Sequence, residues 1–317
     1  MRQHFHYIDR LKGIAILAVI MGHFLLFVLG KKGILLEIIG SFHMPLFMFL
    51  SGIVATAPNI RKVIRKIPYF LMPLITIGSL YAYSIHSSFY DLIHSSYKYG
   101  YWYLWVLSIF YVFLYAVNKI SCILGRVILS MLLWGVLFVL NSSMSEEWND
   151  ILSLWIVKQY WPFFIGGYFF TQFSLKEKFQ SNNWIYTFSF ILYIVSFTLW
   201  YGGMAFLYYA VAGSFVVFVL YLLISRENSE SYIEKRLEYF GKNTLDIYIF
   251  HFFLIQLVSL ENVGGWLEQS HNILIELLLG IIFSVVIAYL TIGIGMIVRK
   301  SNVLNKVVYG YFVKKTL

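Results

Sequence analysis

The chain has 317 residues, of which 60% are hydrophobic and 20% aromatic, while only 12% are charged; its mean hydropathy is +0.75. A soluble domain of this length needs more charge to stay dissolved, so the composition excludes a soluble enzyme and predicts an integral membrane protein. The net charge of +9 would suggest a nucleic-acid partner in a soluble protein. Here we attribute it to orientation in the membrane and expect no nucleic acid.

Hydropathy predicts an all-α integral membrane fold with about ten transmembrane helices in one bundle. The predicted spans cover residues 8–29, 34–56, 67–86, 102–118, 123–140, 151–171, 184–201, 204–224, 243–260 and 273–298. With the N-terminus inside the cell, every one of the 24 Lys and Arg residues lies on the inner side except Lys31, Lys32, Lys98 and Lys158. Basic loops stay in the cytoplasm, so both termini are predicted to be cytoplasmic in a multi-pass protein of the plasma membrane. Residues 1–317 are expected to form one domain without a soluble part.

The longest inner connection, residues 225–242, is too polar to span. Its Ile233, Leu237 and Phe240 fall at positions i, i+4 and i+7. This spacing predicts a short amphipathic helix lying on the membrane surface.

The first span carries Lys12 near its start and His23 deep inside it. Eleven residue steps bring a helix back to within ~20° of the same face, ~16 Å further along its axis, whereas Arg10 points ~140° away from His23. An ionisable residue inside a span is a functional candidate because it is costly to leave unpaired there. His23 is therefore predicted to act as a general base that takes the proton of an attacking hydroxyl. The alternative is a packing histidine bonded to a neighbouring carbonyl.

The second span adds polar groups at two depths. His43 reaches nearly the same depth as His23, so the two are expected to face one cavity, and Pro45 bends the helix beside them. Ser51 and Gly52 lie deeper towards the cytoplasm, where they either hold a donor or let two helices pack closely.

Two further segments carry candidate groups. Arg61, Lys62, Arg65 and Lys66 form a basic cluster on the inner side, which suits either anionic lipid headgroups or the phosphates of a nucleotide-containing donor. The ninth span begins with Asn243, Asp246, Tyr248 and His251. His251 lies level with His23 and His43, but no carboxylate or cysteine stands at a paired ligand spacing, and Cys122 is the only cysteine. We therefore expect no metal.

Aromatic residues mark the predicted outer interface. Trp102 and Trp161 are interpreted as part of an aromatic belt or, alternatively, as platforms for a sugar ring. Lys158 and Glu37, near the outer ends of their spans, either touch an acceptor or extend to water.

Five short patterns follow one another along the chain. They are Asp9-x-x-Lys12-Gly13 with His23, Phe42 to Ser51-Gly52, Arg65 ahead of Pro68-Tyr69, Trp102-Tyr103-Leu104, and Gly241 to His251. Together they resemble the bacterial membrane O-acyltransferases of acyltransferase family three, and most closely its fucose 4-O-acetylase-like branch. Much of that family has Arg at the position of Lys12, although Lys is usual in this branch. Lys cannot grip a phosphate bidentately, so donor contacts are expected to differ.

The resemblance implies transfer of an acyl group, acetyl or a longer one such as succinyl, from cytoplasmic acyl-CoA to a hydroxyl of an envelope polysaccharide or lipid-linked sugar. A sugar hydroxyl needs a base and a thioester carbonyl needs its developing charge stabilised. His23 would be the base. The implied substrate-binding residues are Asp9, Lys12, His43, Ser51, Arg65, Trp102, Asn243, Tyr248 and His251. Lys12 and Arg65 would hold CoA phosphates, and His43, Trp102 and Trp161 would face the acceptor.

Other hypotheses remain open at this point. A membrane transporter or flippase would use the same polar cavity for a glycan or lipid-linked sugar without chemistry. A structural subunit of an envelope complex would keep its function when His23 is replaced by Ala. Within the enzyme hypothesis, direct transfer and a covalent acyl-His or acyl-Ser intermediate are alternatives.

Overall fold

The structure, a computed structural model, describes residues 6–55, 60–180 and 184–310. Across these three ranges all regular elements are helical and no strand occurs, so the predicted all-α class is confirmed. Arg2, Lys314 and Lys315, which contribute to the predicted charge bias, lie outside the described residues.

Seventeen α-helices follow one another along the described chain. They are α1 (His6–His23), α2 (Ile34–Val54), α3 (Ile60–Pro73), α4 (Ser79–Ser84), α5 (Phe89–His94), α6 (Trp102–Asn118), α7 (Ile123–Ser143), α8 (Glu146–Leu152), α9 (Leu154–Gln172), α10 (Leu175–Gln180), α11 (Trp184–Tyr201), α12 (Tyr208–Ile224), α13 (Tyr232–Lys242), α14 (Thr244–Ile255), α15 (Glu261–Ser270), α16 (Ile273–Lys300) and α17 (Asn302–Tyr309). Two π-helical turns, Phe24–Val28 and Leu74–Gly78, extend α1 and α3, and 3-10 turns occupy Lys98–Gly100 and Ala205–Leu207.

The long apolar helices coincide with the predicted spans. In the described part of the chain, seven helical stretches have the length and composition to cross a membrane: His6–Val28, Ile34–Val54, Ile60–Ser84, Ile123–Ser143, Trp184–Tyr201, Ala205–Ile224 and Ile273–Lys300. The other three predicted spans fall on the shorter helices α6 and α14 and on α9. The chain is thus a multi-pass helical membrane protein. The total of ten spans and the cytoplasmic position of the termini stay predictions.

The chain divides into two compact units. The first unit comprises Met1–Val54 and Gly166–Ile292, and in it α1 lies against α2, α12, α13 and α14, while α11 packs on α12. The second unit comprises Ala55–Ile165 and Gly293–Leu317, and in it α3 packs on α6 and α17, and α5 on α4 and α8. The expectation of one domain over residues 1–317 stays a prediction.

In the first unit, α1 and α13 touch backbone to backbone at two glycines. A Cβ on Gly13 would lie 2.1 Å from the carbonyl oxygen of Leu237, and a Cβ on Gly241 would lie 1.7 Å from that of Asp9. Both distances are well inside van der Waals contact, so only glycine permits this approach. The contact fixes the start of α1, and with it the register of Lys12 and His23, against the rest of the unit.

The polar connection does contain the predicted helix, which is α13 and begins with a capping box at Ser231. Its three spaced apolar residues do not share one environment, however. Ile233 is 70% exposed, whereas Phe240 is buried and packs on Tyr289. The three residues therefore do not form one exposed apolar stripe, because close packing on α1 covers part of α13. The position of this helix on the membrane surface stays a prediction.

Candidate functional site

His23 and His251 form a pair inside the first unit. His23 ends α1, and His251 lies in the middle of α14, which packs on α1. Nδ1 of His23 is 3.0 Å from Nε2 of His251, and the two ring planes differ by 9°. On its other side, Nδ1 of His251 is 3.0 Å from the carbonyl oxygen of Ile247 and 2.8 Å from that of Tyr248. The two rings and the helix backbone thus form one hydrogen-bonded chain.

The series of hydrogen bonds from His23 through His251 to the two carbonyls determines which ring nitrogens carry protons. A carbonyl oxygen only accepts, so Nδ1 of His251 must donate, and in a neutral ring its Nε2 is then bare. Nε2 of His251 in turn accepts from Nδ1–H of His23, which leaves Nε2 of His23 without a proton. Within the described ranges, His251 is the only hydrogen-bond partner of the His23 side chain. The pair therefore presents one bare nitrogen, Nε2 of His23.

Access to the two rings differs. His251 is fully buried, whereas His23 keeps part of its surface open. The ring of Phe252 lies 4.6 Å from that of His23, centroid to centroid, and the exposed ring of Phe27 lies 5.6 Å away. Aromatic walls of this kind exclude water from the imidazole and strengthen electrostatic interactions there. The partly open ring of His23 is thus oriented by its hydrogen bond to His251 and lies next to aromatic side chains.

The backbone just after His23 is not α-helical. The wider π turn Phe24–Val28 follows it at once, and such turns are frequent at functional sites. The end of this turn is tied to the start of α15, because the backbone N–H of Leu260 donates to the carbonyl of Val28 at 2.8 Å. Hydropathy carries no signal for a π turn, and the sequence interpretation missed it.

The predicted partner His43 also lies in the first unit, on α2 beside α1. Its Nδ1 is 2.6 Å from the carbonyl oxygen of Ile39, so Nδ1 donates and Nε2 is bare in the neutral ring. Among the residues that the structure describes, the His43 side chain hydrogen-bonds only to its own helix, unlike that of His23.

At the other end of α1, Lys12 lies 3.5 Å from Asp9, and both side chains keep part of their surface accessible. Arg10 is buried and donates to the carbonyl oxygens of Arg226 and Ser229, each at 2.6 Å. It also lies 3.9 Å from Glu234. Hydrogen bonds from Ser229 and Ser231, with the charge of Arg10, hold the pKa of Glu234 below its usual value. Arg10 therefore anchors the connection before α13, while Lys12 keeps a more accessible ammonium.

Two of the other expected residues of the first unit donate to a backbone carbonyl four positions before them. The hydroxyl of Ser51 donates to the carbonyl of Phe47 at 2.9 Å, and the amide of Asn243 donates to that of Tyr239 at 2.8 Å. Such bonds are the usual local solution for polar side chains in helices. Tyr248 is buried beside His251, with ring centroids 6.1 Å apart. A role of these three residues in binding the donor stays a prediction.

Arg65 and the two tryptophans belong to the second unit. Arg65 is exposed on α3. Trp102 is buried and stacks on Tyr160 with ring centroids 5.1 Å apart. Trp161 is fully buried, and its indole N–H donates to the carbonyl of Ser130 at 3.0 Å. An enclosed indole offers no face to a sugar, so the expectation that Trp161 faces the acceptor is wrong.

Sequence reasoning also missed a buried ion pair. Lys31, in the predicted outer loop, pairs with Glu276 in the first turn of α16, and both side chains are almost completely shielded. The two residues are 245 positions apart, so no local pattern connects them. The available signal was Glu276, a carboxylate inside the predicted span 273–298, which would need a buried partner.

Long apolar helices and a hydrogen-bonded histidine pair that presents one bare nitrogen define a class: multi-pass membrane proteins with a polar site among their helices. The model of acyltransferase family 3, described as an acyltransferase domain, matches residues 5–293. The chain belongs to this family and is a membrane acyltransferase. No curated protein and no solved structure matches it. The resemblance to the fucose 4-O-acetylase-like branch stays a prediction.

Proposed function

We propose that the protein is an O-acyltransferase of the plasma membrane. It moves an acyl group, acetyl in the first place, from cytoplasmic acyl-CoA to a hydroxyl of an envelope polysaccharide or lipid-linked sugar. His23 is the general base. The observation that carries the proposal is the bare Nε2 of His23, set by the hydrogen-bonded chain through His251 to the carbonyls of Ile247 and Tyr248.

The proton inventory of one turnover fits this arrangement. As the acceptor oxygen attacks the thioester carbon, its proton passes to Nε2 of His23. The C–S bond of the tetrahedral intermediate then breaks, and the sulfur leaves with the proton returned from His23 as the thiol of CoA. Between these steps His23 is cationic, and its Nδ1–H still donates to His251. The partner thus stabilises the ring orientation in both protonation states.

The donor would approach along the face of α1 that carries Lys12 and His23. Lys12 is held next to Asp9 at 3.5 Å, which leaves ammonium protons for a phosphate. The ~16 Å between Lys12 and His23 along the helix is of the order that a pantetheine arm must reach. Arg65, exposed on α3 of the second unit, is the further expected phosphate contact.

The decisive experiment follows CoA release from acetyl-CoA by the purified protein in lipid nanodiscs, with and without de-O-acetylated envelope glycan. His23→Gln, which keeps polarity but removes the ring nitrogen, should lower glycan-dependent release by about 10²–10⁴-fold. His271→Asn is the control, because His271 is exposed at a left-handed φ of 49°, where Asn is tolerated.

Each outcome decides something. Glycan-dependent release that survives His23→Gln moves the base elsewhere. Absence of CoA release together with glycan movement across the bilayer replaces the enzyme by the transporter. A burst of CoA without glycan, with label retained on the protein, selects a covalent acyl intermediate.

A further inference from the structure

The second unit carries a compact cap of loops and short helices at the end that the charge pattern predicts to be outside. We call residues 85–101 and 144–155 the loop cap. It contains α5, the 3-10 turn Lys98–Gly100, α8 and the first residues of α9. This is a more elaborate structure than the joining of neighbouring spans requires, since such connections usually take a few residues.

A buried lysine holds the loop cap together. Lys98 is fully buried, and its ammonium donates to the carbonyl oxygens of Ile93, Ser95 and Asp150 at 2.6, 2.9 and 2.7 Å. The hydroxyl of Ser153 donates to the carbonyl of Ser96 at 2.7 Å. These bonds connect the two chain segments of the cap at several points. The cap is therefore a fixed surface and not a pair of independent loops.

The same region concentrates unusual backbone geometry. Of the six non-glycine residues with positive φ in the described chain, four lie in the loop cap: His86, Lys98, Tyr99 and Ser153. Each such conformation costs about 1–3 kcal/mol and persists only where the surroundings enforce it. The contacts within the cap must therefore offset the conformational free energy of these four residues.

This fixed surface displays aromatic rings. Tyr97 is 53% exposed and Trp155 is 45% exposed, and their rings meet edge to face with centroids 6.3 Å apart. Trp148 is exposed nearby on α8. Trp161, which the sequence assigned to the acceptor, is by contrast fully enclosed.

The charges around these rings are negative. Asp91, Glu146 and Glu147 are exposed in the cap, whereas its only Lys or Arg is the buried Lys98. Asp91 accepts from Ser88, and Glu147 lies 3.5 Å from His94, so Glu146 has the more open carboxylate. A helix end that anchors a protein in anionic lipid carries exposed cations instead. Carboxylates are strong acceptors for hydroxyl groups, and aromatic faces suit the apolar faces of sugar rings. The composition fits a neutral or amino-bearing carbohydrate better than an anionic lipid surface or a polyanion.

We propose that the loop cap binds the acceptor glycan, a neutral or amino-bearing carbohydrate chain, with sugar rings on Tyr97 and Trp155 and hydroxyls on the exposed carboxylates of the cap. This assignment rests on the proposed acyl transfer to a glycan and names the surface that selects the acceptor. Lys98 acts only through the shape of the cap.

The test measures glycan affinity directly, without any acyl donor. The full-length protein in nanodiscs is titrated calorimetrically with oligosaccharides cut from de-O-acetylated envelope glycan, and separately with an oligogalacturonate as a polyanionic probe. Tyr97→Ala and Trp155→Ala should each weaken binding of the envelope oligosaccharide about tenfold, which corresponds to one aromatic contact. Trp184→Ala, at an exposed tryptophan at the start of α11 in the first unit, should change it less than twofold.

The outcomes separate this proposal from the acyl-transfer proposal. Wild-type protein that transfers acyl groups, while both cap variants keep wild-type affinity and KM for glycan, overturns the glycan site alone. Wild-type protein that binds glycan through Tyr97 and Trp155 but releases no CoA overturns acyl transfer alone. Variants that lose bilayer retention with unchanged glycan affinity make the rings an interfacial anchor and also overturn the site.

Discussion

His23 and Lys98 are both polar side chains drawn into the protein, but their hydrogen bonds are completed to different degrees. Every ammonium proton of Lys98 meets a backbone carbonyl, and the side chain is fully buried. In the described part of the chain, His23 has a partner for Nδ1 only, and its ring stays partly open. The first arrangement leaves nothing for a ligand to bind, whereas the second leaves one nitrogen bare. Polar groups with all their hydrogen bonds made stabilise the local structure. Accessible polar groups that lack a hydrogen-bond partner are the better candidates for a chemical role.

A second comparison is between His23 and His43. It too leaves one nitrogen bare, but its proton goes to a carbonyl of its own helix. His23 is instead oriented by a second ring from another helix, which is itself bonded to two carbonyls. A base needs its ring fixed in the correct tautomer. Of these two histidines, only His23 has its tautomer set by a hydrogen bond to another helix.

The largest effect among variants of the neighbouring residues is expected at His251. His251→Phe keeps a ring but removes the acceptor of Nδ1–H of His23, so the tautomer is no longer fixed. We expect kcat to fall on the order of 100-fold with KM for acetyl-CoA unchanged. His251→Gln, whose side-chain oxygen can accept the same bond, should stay within about tenfold of wild type. Steady-state kinetics of CoA release compare the two. Equal losses in both variants would mean that His251 only fills space.

The sequence predicted the helices well because a spanning segment is marked by its own composition. The predicted span 184–201 coincides with α11, and the predicted span 273–298 ends within two residues of α16. Hydropathy also placed the three histidines at similar depth. It does not reveal which helices are neighbours, so the bond between His23 and His251, 228 positions apart, was beyond a pattern argument.

The same limitation explains the errors. Trp161 in the predicted span 151–171 and Tyr97 ahead of the predicted span 102–118 are both aromatic, and composition does not distinguish a buried ring from an exposed one. Packing does, because Trp161 is fully buried and donates to the carbonyl of Ser130, while Tyr97 lies after the end of α5 and is exposed. Contact between α1 and α13 likewise depends on two glycines far apart in sequence, Gly13 and Gly241. Such features arise from tertiary contacts that no local window contains.

A smaller effect, on stability, is expected at Lys98. Lys98→Met fills the volume but leaves three carbonyls without their donor, each worth about 1–3 kcal/mol when buried. Part of this is regained by water, so we expect the cap to lose roughly 2 kcal/mol of stability. Hydrogen exchange of cap peptides, read by mass spectrometry, measures this loss. Lys32→Met, at an exposed lysine of the first unit, is the control and should show none. Unchanged exchange in Lys98→Met would mean that Lys98 does not hold the cap.

The smallest effect, counted per pH unit, is the pH dependence of the same cap. Burial lowers the pKa of Lys98 to about 8, against the charge of Asp150, which raises it. An unfolded lysine titrates near 10.4, so between about pH 8 and pH 10 the opened cap binds a proton that the closed cap has released. Closed-state stability should therefore rise with pH across this window, by at most about 1.4 kcal/mol per pH unit, and be flat below it. Exchange of the cap amides, corrected for their intrinsic rates at each pH, gives the slope, and Lys98→Met should abolish it. A slope of the opposite sign would mean that the three carbonyls hold the charged form more strongly than burial disfavours it.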